Sequence, residues 1–190
     1  MKAELARDLE AVTAALRAST VRVHDGRRGS GSGVVWSDGV VVTNAHVVRS
    51  AYATVELAGG RRSEARLLAR DAARDLAVLR IAETDLVPVA VRDAATLAPG
   101  ELVVAVGNPF GLVGALSTGL VQRCNARWVI ADVRLAPGNS GGPLADACGR
   151  VVGINSMVAG GLALAVPSNA VRQFLLTLPW KPFAGRPRAA

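Results

Sequence analysis

The feature that most constrains the fold of this chain is a succession of short, valine-rich apolar runs that begins near residue 19. Turn-forming pairs such as Asp38-Gly39, Pro99-Gly100 and Gly160-Gly161 separate many of these runs, a pattern typical of β-strands. The predicted strands are residues 20–24, 33–36, 40–44, 53–57, 64–69, 76–81, 102–106, 117–123, 128–132, 143–145, 151–157 and 162–166. Strands at such close spacing predict an all-β sandwich or barrel, divided by a connector at residues 92–99 into two groups of about six.

Helical patterns flank the strands on both sides. The apolar residues that recur at helical spacing near the start are Leu5, Leu9, Val12 and Leu16. This spacing predicts an amphipathic helix over residues 3–18 that packs on its own domain, although docking on a partner stays open. A second helix is predicted to start at Pro167 and to run to about Leu178. The predicted organisation is a helix at 1–18, a first strand group at 19–95, a second strand group with the C-terminal helix at 96–178, and a loosely ordered tail at 179–190.

Composition argues against several function classes. Hydrophobic residues make up 51% of the chain, enough for a large core, and the net charge of +7 comes mainly from arginines that are scattered rather than clustered in a tail. Only 4% of residues are aromatic, so few side chains could stack on bases, and we predict no nucleic-acid partner. No uncharged apolar run reaches the ~18 residues of a membrane span. Charges in the first twenty residues interrupt any signal-peptide core, and we therefore expect a cytoplasmic protein without an integral membrane segment.

The two cysteines, Cys124 and Cys148, are too few for a disulfide framework and lack the spacing of metal ligands. We expect free thiols, with a single bridge as the alternative, and we predict neither a metal nor a cofactor.

The segment most informative about chemistry is Pro137-Gly138-Asn139-Ser140-Gly141-Gly142-Pro143. Glycines around Ser140 permit unusual backbone angles and leave the neighbouring amides uncovered. Two such N–H groups could converge on a developing oxyanion, each worth roughly 3 kcal/mol in known enzymes. A glycine-rich turn alone is more often structural, so the interpretation depends on a base for the serine.

A serine nucleophile requires a base and an acid that orients it. Of the two histidines, His24 lies in a predicted strand beside a charged turn and is expected to be solvated, whereas His46 follows an apolar run. Asp75 leads directly into the apolar residues 76–81, which places it at the edge of the core. Its rival Asp71 lies in a polar connector and is expected to face solvent.

Three segments together, TNAHVV at 43–48, DLAVL at 75–79 and PGNSGGP at 137–143, resemble the trypsin-like serine proteases, specifically the HtrA (Deg) branch. Further segments agree with this resemblance at residues 31–35, 107–111, 152–155 and 165–169. The resemblance extends over residues 19–178, most of the chain.

The resemblance implies two perpendicular six-stranded antiparallel β-barrels with the active site in the cleft between them. It implies a serine endopeptidase with His46, Asp75 and Ser140 as the catalytic triad, acting on polypeptides in protein quality control or regulated proteolysis. The implied oxyanion hole consists of Gly138, Asn139 and Ser140, and Ser156 is expected to brace Asp75. The implied substrate-binding residues are Arg134, Asn155, Ser156, Met157, Val158, Ala163 and Leu164, which would accept a small apolar side chain.

Several expectations concern departures from the HtrA pattern. The chain ends shortly after the last helix, so we expect no peptide-binding PDZ domain and leave oligomer formation open. Arg134 replaces a small residue, and an acidic substrate preference is the alternative if its side chain enters the pocket. Asn139 replaces the aspartate of digestive-type relatives, so we expect activity without N-terminal cleavage. Two other functions stay open, namely a catalytically latent protease fold that serves as a binding or chaperone module, and a basic nucleic-acid-binding domain.

Overall fold

The computed structural model describes residues 2–26 and 29–179. Two helices and twelve strands follow one another within these residues. Their bounds are α1 Lys2–Ser19, β1 Thr20–His24, β2 Ser30–Ser37, β3 Val40–Thr43, β4 Tyr52–Glu56, β5 Arg62–Asp71, β6 Leu76–Arg80, β7 Leu102–Gly107, β8 Ala115–Cys124, β9 Val129–Ala131, β10 Pro143–Asp146, β11 Val151–Ala159, β12 Leu162–Pro167 and α2 Ser168–Leu176.

The strands close into two antiparallel barrels with the same topology. The first barrel has the order β1-β2-β3-β6-β5-β4 and the second has the equivalent order β7-β8-β9-β12-β11-β10. The predicted all-β architecture of two six-stranded barrels with a helix at each end is therefore confirmed. Closure leaves neither barrel with a fully unpaired edge strand, which explains how so many short strands form a stable fold.

Small aliphatic side chains fill both barrels, since the sequence offers few aromatic residues. The interior of the first barrel is built from valines such as Val23, Val41 and Val55, all essentially inaccessible to solvent. The interior of the second barrel is built in the same way around Leu144 and Val152. Burial of each such side chain contributes roughly 1.5–3 kcal/mol, so the low aromatic content does not prevent a stable core.

A third apolar cluster joins the barrels and positions the cleft. Val42 and Val78 of the first barrel pack in this cluster together with Ile154 of the second barrel. Val171 and Phe174 of α2 cover the same cluster. The two barrels and α2 therefore share one continuous interface, which holds residues from different barrels in register.

Helix α1 packs on the outer face of the second barrel. Leu16 is 1% exposed and lies in a cluster with Val104 and Val151, while Leu9 and Val12 lie against the same cluster. The helix thus packs on its own domain, as the sequence favours; the side chain of Leu5 and the predicted tail at 180–190 lie outside the described residues. In the described part of the chain, neither helix combines the length and apolarity that crossing a bilayer demands.

The strand ends differ from the prediction mainly where polar residues alternate with buried ones. The structure extends β5 to Arg62–Asp71, beyond the predicted 64–69. In this strand Arg66 is exposed and Ala65 is buried, so the charged residues occupy the solvent face of a paired strand. A search for apolar runs misses such ends, because only one face of the strand is apolar.

Candidate active site

Asp75 and His46 form a close pair at the rim of the first barrel. The His46 ring places Nδ1 at 3.0 Å from Oδ1 and 2.9 Å from Oδ2 of Asp75, and the His46 backbone N–H donates to Oδ1 at 3.0 Å. Since an ionised carboxylate only accepts hydrogen bonds, this contact fixes the tautomer with the proton on Nδ1. The other ring nitrogen, Nε2, is left with a free lone pair, as a general base requires.

Asp75 is held in an unusual backbone conformation just before β6. Its φ is +56°, in the left-handed region that non-glycine residues rarely adopt, and such outliers concentrate at functional sites. The Asn44 side chain donates to the Asp75 carbonyl at 2.9 Å, which helps to hold this conformation. Asp75 therefore faces His46 because of long-range contacts and not because of local preference.

The electrostatic environment keeps Asp75 ionised. Burial by itself raises the pKa of this carboxyl, but hydrogen bonds from the His46 ring and from the Ser156 hydroxyl outweigh burial and lower the pKa below its ordinary value. The Ser156 Oγ donates to Oδ2 at 2.6 Å. The side chain of Asp75 is only 15% exposed and that of His46 is 43% exposed, so the acid is sheltered while the imidazole stays accessible.

The rival residues lie in other environments. The Asp71 carboxylate accepts backbone N–H groups of Ala73 and Arg74 and pairs with the Arg74 guanidinium, so it caps its own turn. His24 lies at the end of β1 with Nε2 at 3.8 Å from Glu56. Neither residue contacts the His46–Asp75 pair.

Ser140 lies on the tight turn before β10, and two glycines allow this turn. Gly138 has φ +106° and Gly141 has φ +88°. A Cβ on Gly138 would stand 2.9 Å from the Pro109 Cα, and a Cβ on Gly141 would overlap the Ser32 carbonyl. Both positions therefore require glycine for backbone angle and for close approach.

The amides beside Ser140 are oriented by neighbouring loops. The Phe110 N–H donates to the Pro137 carbonyl at 3.1 Å. Because the C=O and N–H bonds of a trans peptide point in opposite directions, the N–H of Gly138 points away from Phe110. Among the described residues no acceptor binds the N–H of Gly138 or of Ser140, whereas the N–H of Asn139 donates to the Ala136 carbonyl at 3.0 Å.

The Ser32 side chain connects the first barrel to the turn that carries Ser140, a role that the sequence did not reveal. Ser32 is fully buried, and its Oγ donates to the Gly138 carbonyl at 2.7 Å. The same oxygen accepts the Asn108 backbone N–H at 2.9 Å, and the Ser32 N–H donates to the Ser140 carbonyl at 2.7 Å. The segments 31–35 and 107–111 carried the family resemblance, but these contacts were not predictable from it.

The hydroxyl of Ser140 is engaged with the substrate-side strand. Its Oγ donates to the Ser156 carbonyl at 2.9 Å, and in the described part of the chain this carbonyl is its hydrogen-bond partner in place of His46. Ser140 and His46 nevertheless line one open cavity of about 250 Å³, together with Gly138. The two residues thus line the same space without a hydrogen bond between their side chains.

A second cavity of about 350 Å³ adjoins Ser140 and is lined mainly by apolar groups. Of the predicted substrate-binding residues, Ser156, Met157 and Val158 line this cavity, as do Leu135 and Ala136. The remaining predicted residues lie elsewhere. Arg134 is exposed, and neither Arg134 nor Leu164 lines the cavity. Asn155 is buried and its side-chain amide donates to the Pro143 carbonyl, while Ala163 packs inside the second barrel.

The strand β11 offers one free edge beside this cavity. It pairs with β12 as far as Ala159, whereas its pairing with β10 ends at Ile154. Met157 and Val158 are about half exposed along the unpaired part. An extended peptide could therefore add to this edge as another strand.

Neither a disulfide nor a cluster of metal-ligating side chains occurs among the described residues. No three His, Cys, Asp or Glu side chains converge as a metal site within the described ranges. Cys124 and Cys148 are free thiols in the structure, and burial, followed by the charge of Asp93, raises the pKa of Cys124.

The family match accords with this geometry. Residues 31–154 match the model of the trypsin-like peptidase domain, so the match contains His46, Asp75 and Ser140 and covers more than half of the chain. The chain belongs to the trypsin-like peptidase family. The double barrel and the cleft are thus those of a trypsin-like peptidase domain, and the predicted resemblance is confirmed.

Individual relatives agree with the HtrA branch. The chain is 39% identical over 162 residues to serine protease HTRA1B of Danio rerio, which covers 77% of this chain and 34% of the relative. It is 38% identical to the mitochondrial serine protease HTRA2 of Bos taurus, over 77% of this chain and 35% of the relative. It is also 38% identical to a probable periplasmic serine endoprotease DegP-like of Halomonas elongata, over 74% of this chain and 33% of the relative. The chain therefore spans about a third of the length of these relatives.

Proposed function

We propose that this chain is a serine endopeptidase that hydrolyses peptide bonds through an acyl-enzyme on Ser140. The observation that carries the proposal is the His46 ring, held by a partly buried, ionised Asp75, which lines a cavity together with Ser140 and Gly138. Such an arrangement supplies a base with a fixed tautomer next to a hydroxyl nucleophile. The names of the relatives, which are serine proteases, support the same reaction class.

In the proposed reaction His46 Nε2 takes the proton of the Ser140 hydroxyl while Oγ attacks the substrate carbonyl. The N–H groups of Gly138 and Ser140 stabilise the oxyanion, since both amides lack an internal acceptor. His46 then gives its proton to the leaving amine, and water hydrolyses the ester by the reverse sequence. Asp75 stays ionised throughout and stabilises the imidazolium, and Ser156 braces Asp75. Asn139 contributes position rather than a donor, because its N–H is occupied by Ala136.

We further propose that substrate itself releases the nucleophile. The Ser140 hydroxyl donates to the Ser156 carbonyl, which lies where the free edge of β11 begins. A peptide that adds to this edge presents a backbone N–H to the same carbonyl. The competing donor frees the Ser140 hydroxyl to turn toward His46, so the productive contact forms in the substrate complex.

Fluorophosphonate labelling tests the nucleophile directly. Purified protein is reacted with the probe and the modified residue is mapped by mass spectrometry. We expect modification at Ser140, at least 100-fold slower labelling in His46→Ala because the base is lost, and none in Ser140→Ala. Ser168→Ala, a change at a buried serine of α2, serves as the control and labels normally. Labelling at another serine, or equal labelling of the His46 variant, would overturn the proposed triad.

The cavity beside Ser140 supports a preference for a small or aliphatic residue before the scissile bond. Its lining of Leu135, Ala136, Met157 and Val158 offers no charged partner, and Arg134 lies outside it. Digestion of an unfolded protein followed by mass spectrometry gives the residue on the amino side of each cut. Internal cuts after Val, Ala or Leu are expected, whereas cuts after Asp or Glu would indicate that Arg134 enters the pocket.

The wider biological role is also a proposal. We propose HtrA-like protein quality control or regulated proteolysis with polypeptide substrates, and the relatives' names, serine protease and serine endoprotease, support proteolysis. The cytoplasmic location stays a prediction, since two relatives are named mitochondrial and periplasmic. We propose no nucleic-acid partner, and salt-dependent retention on DNA would contradict this. Light scattering decides whether the chain forms an oligomer.

A further inference from the structure

A cavity remote from the triad's side chains lies where α1 and β1 meet the loop at residues 108–114. Its volume is about 350 Å³, within the range of small-molecule sites. Its walls include the guanidinium-bearing residues Arg17 and Arg22, the β4–β5 turn at residues 57–60, and Asn108, Val113 and Gly114 of the loop. Nothing in the proposed peptidase reaction uses this cavity.

Among the described residues, neither of the two arginines that line the cavity forms an ion pair with a carboxylate. Arg17 Nε donates a hydrogen bond to the Gly114 carbonyl at 2.7 Å, which leaves the terminal nitrogens of Arg17 for another acceptor. The Nε of Arg22 is shielded from solvent and, among the described residues, has no hydrogen-bond partner. A charged donor without an acceptor is costly to bury, so an acceptor beside the guanidinium of Arg22 stabilises it.

Among the described residues that line the cavity, Glu56 supplies the carboxylate, and this carboxylate already has partners. Glu56 binds the Nε of Arg62 at 3.2 Å and lies 3.8 Å from His24 Nε2. Burial, and next the charge of Arg22, lower the pKa of His24, which agrees with a local excess of positive charge. The charged residues that line the cavity therefore carry more positive than negative charge.

We propose that this cavity binds a phosphate-bearing ligand, whose oxygens accept hydrogen bonds from Arg17 and Arg22. A phosphate presents several acceptor oxygens to two forked donors, and this geometry suits arginine better than any other side chain. The volume leaves room for a second phosphate or for another substituent beside Val113. The turn at Gly59 and Gly60 adds no side chain that would obstruct the entrance.

The site is coupled to the nucleophile through the loop that forms its wall. Asn108 Oδ1 accepts the Gly114 N–H at 3.1 Å, and the Phe110 N–H in the middle of the loop orients the Pro137–Gly138 peptide. The conformation of this loop is energetically unfavourable without further contacts, since Phe110 has φ +51° and is 79% exposed. A ligand that bridges Arg17 and Arg22 stabilises the loop at Gly114, and with it the Gly138 N–H. This coupling, unlike the site itself, rests on the proposed peptidase function.

Binding is measured with inorganic phosphate and with pyrophosphate by calorimetry at constant ionic strength, with sodium chloride as the matched salt. We expect saturable binding at one site, tighter for pyrophosphate, and a dissociation constant raised about tenfold or more in Arg22→Gln. Ala58→Glu places a negative charge at the rim of the cavity without removing a contact and is expected to weaken binding as well. Arg123→Gln changes an exposed arginine of β8 and should bind like the wild type.

Equal binding by the wild type and both cavity variants would overturn the site, since it would mean attraction to overall positive charge only. Absence of saturable binding would overturn it as well. The fluorophosphonate labelling rate measures the coupling, and we expect pyrophosphate to raise that rate about fivefold or more in the wild type and not in Arg22→Gln. Saturable binding with an unchanged labelling rate would overturn the coupling alone. Absence of any labelling would count against the peptidase proposal and leave the calorimetric result intact.

Discussion

Replacement of Ser32 by alanine isolates the contribution of the first barrel to the oxyanion site. Ser32 does not reach the substrate cavities, but its hydroxyl holds the Gly138 carbonyl and the Asn108 N–H at 2.7 and 2.9 Å. In Ser32→Ala both backbone groups lose this partner, while the Asn108 side-chain amide keeps the Val21 carbonyl. The variant therefore loosens the peptide that presents the Gly138 N–H without changing the triad.

The expected loss of stability follows from the two backbone groups, the Gly138 carbonyl and the Asn108 N–H, that lose their hydrogen-bond partner. Each buried group left without a partner costs about 1–3 kcal/mol. Gly138 is only partly buried, so water can reach its carbonyl and lower the cost there. We expect the free energy of unfolding to fall by about 2–4 kcal/mol. Loss of a complete oxyanion donor costs about 10²–10³ in rate, so a loosened donor should reduce the rate about tenfold.

The matched control is Ser168→Ala. Ser168 is also fully buried, donates to the Arg92 carbonyl at 2.6 Å and accepts the Ala94 N–H at 3.1 Å, but it lies at the start of α2. Urea unfolding gives the stability of both variants and fluorophosphonate labelling gives their rates. We expect similar destabilisation and a labelling loss confined to Ser32→Ala. Equal labelling of the two variants, under conditions where both are folded, would refute the reasoning.

Three further predictions concern backbone, charge and pH. Gly141→Ala should lower the free energy of unfolding by more than about 3 kcal/mol and abolish fluorophosphonate labelling, because the φ of Gly141 is +88° and a Cβ would overlap the Ser32 carbonyl. A urea unfolding midpoint equal to that of the wild type would contradict this prediction. Asp146→Asn should lower the free energy of unfolding by about 2–3 kcal/mol, since Asp146 is buried and binds both Arg92 and Arg150. The control Asp85→Asn removes an exposed ion pair and should change the free energy of unfolding little. Because the folded-state pKa of Asp75 is lowered, its ionisation stabilises the fold above the unfolded-state value of about 3.9, and this contribution is lost as the pH falls through the folded-state pKa. Ser156→Ala raises that pKa by removing a hydrogen bond, so acid unfolding should begin at a higher pH than in the wild type; identical acid transitions would count against the role of Ser156.

The sequence predicted the strands and the chemically active segments because both are local patterns. Turn pairs and apolar runs located all twelve strands within a few residues, and the segments around His46, Asp75 and Ser140 each combined a reactive side chain with a characteristic backbone. The polar neighbours of Asp71 favour a local turn, and the structure has its carboxylate capping that turn. Such features depend on residues a few positions apart, which the sequence displays directly.

The substrate cavity was harder to predict from the sequence. Leu135 and Ala136 line it, whereas Ala163 points into the second barrel and Arg134 stays outside. Residues 134–136 lie in the loop between β9 and β10, where no strand alternation indicates which side chains face the cavity. The pairing of β11 and β12 shifts register between Asn155 and Met157, and an irregularity of this kind has no marker in the sequence.

The sequence by itself determined that the chain forms short paired strands and that it carries a serine, a histidine and an aspartate in segments typical of a peptidase. The tertiary structure alone decided which groups meet. Ser32 contacts Gly138 across 106 positions of the chain, and Ser156 contacts Asp75 across 81. These contacts arise because two barrels share one apolar interface, and the energy of that interface comes from many small burials spread over the whole chain. No local pattern encodes which loops such an interface brings together.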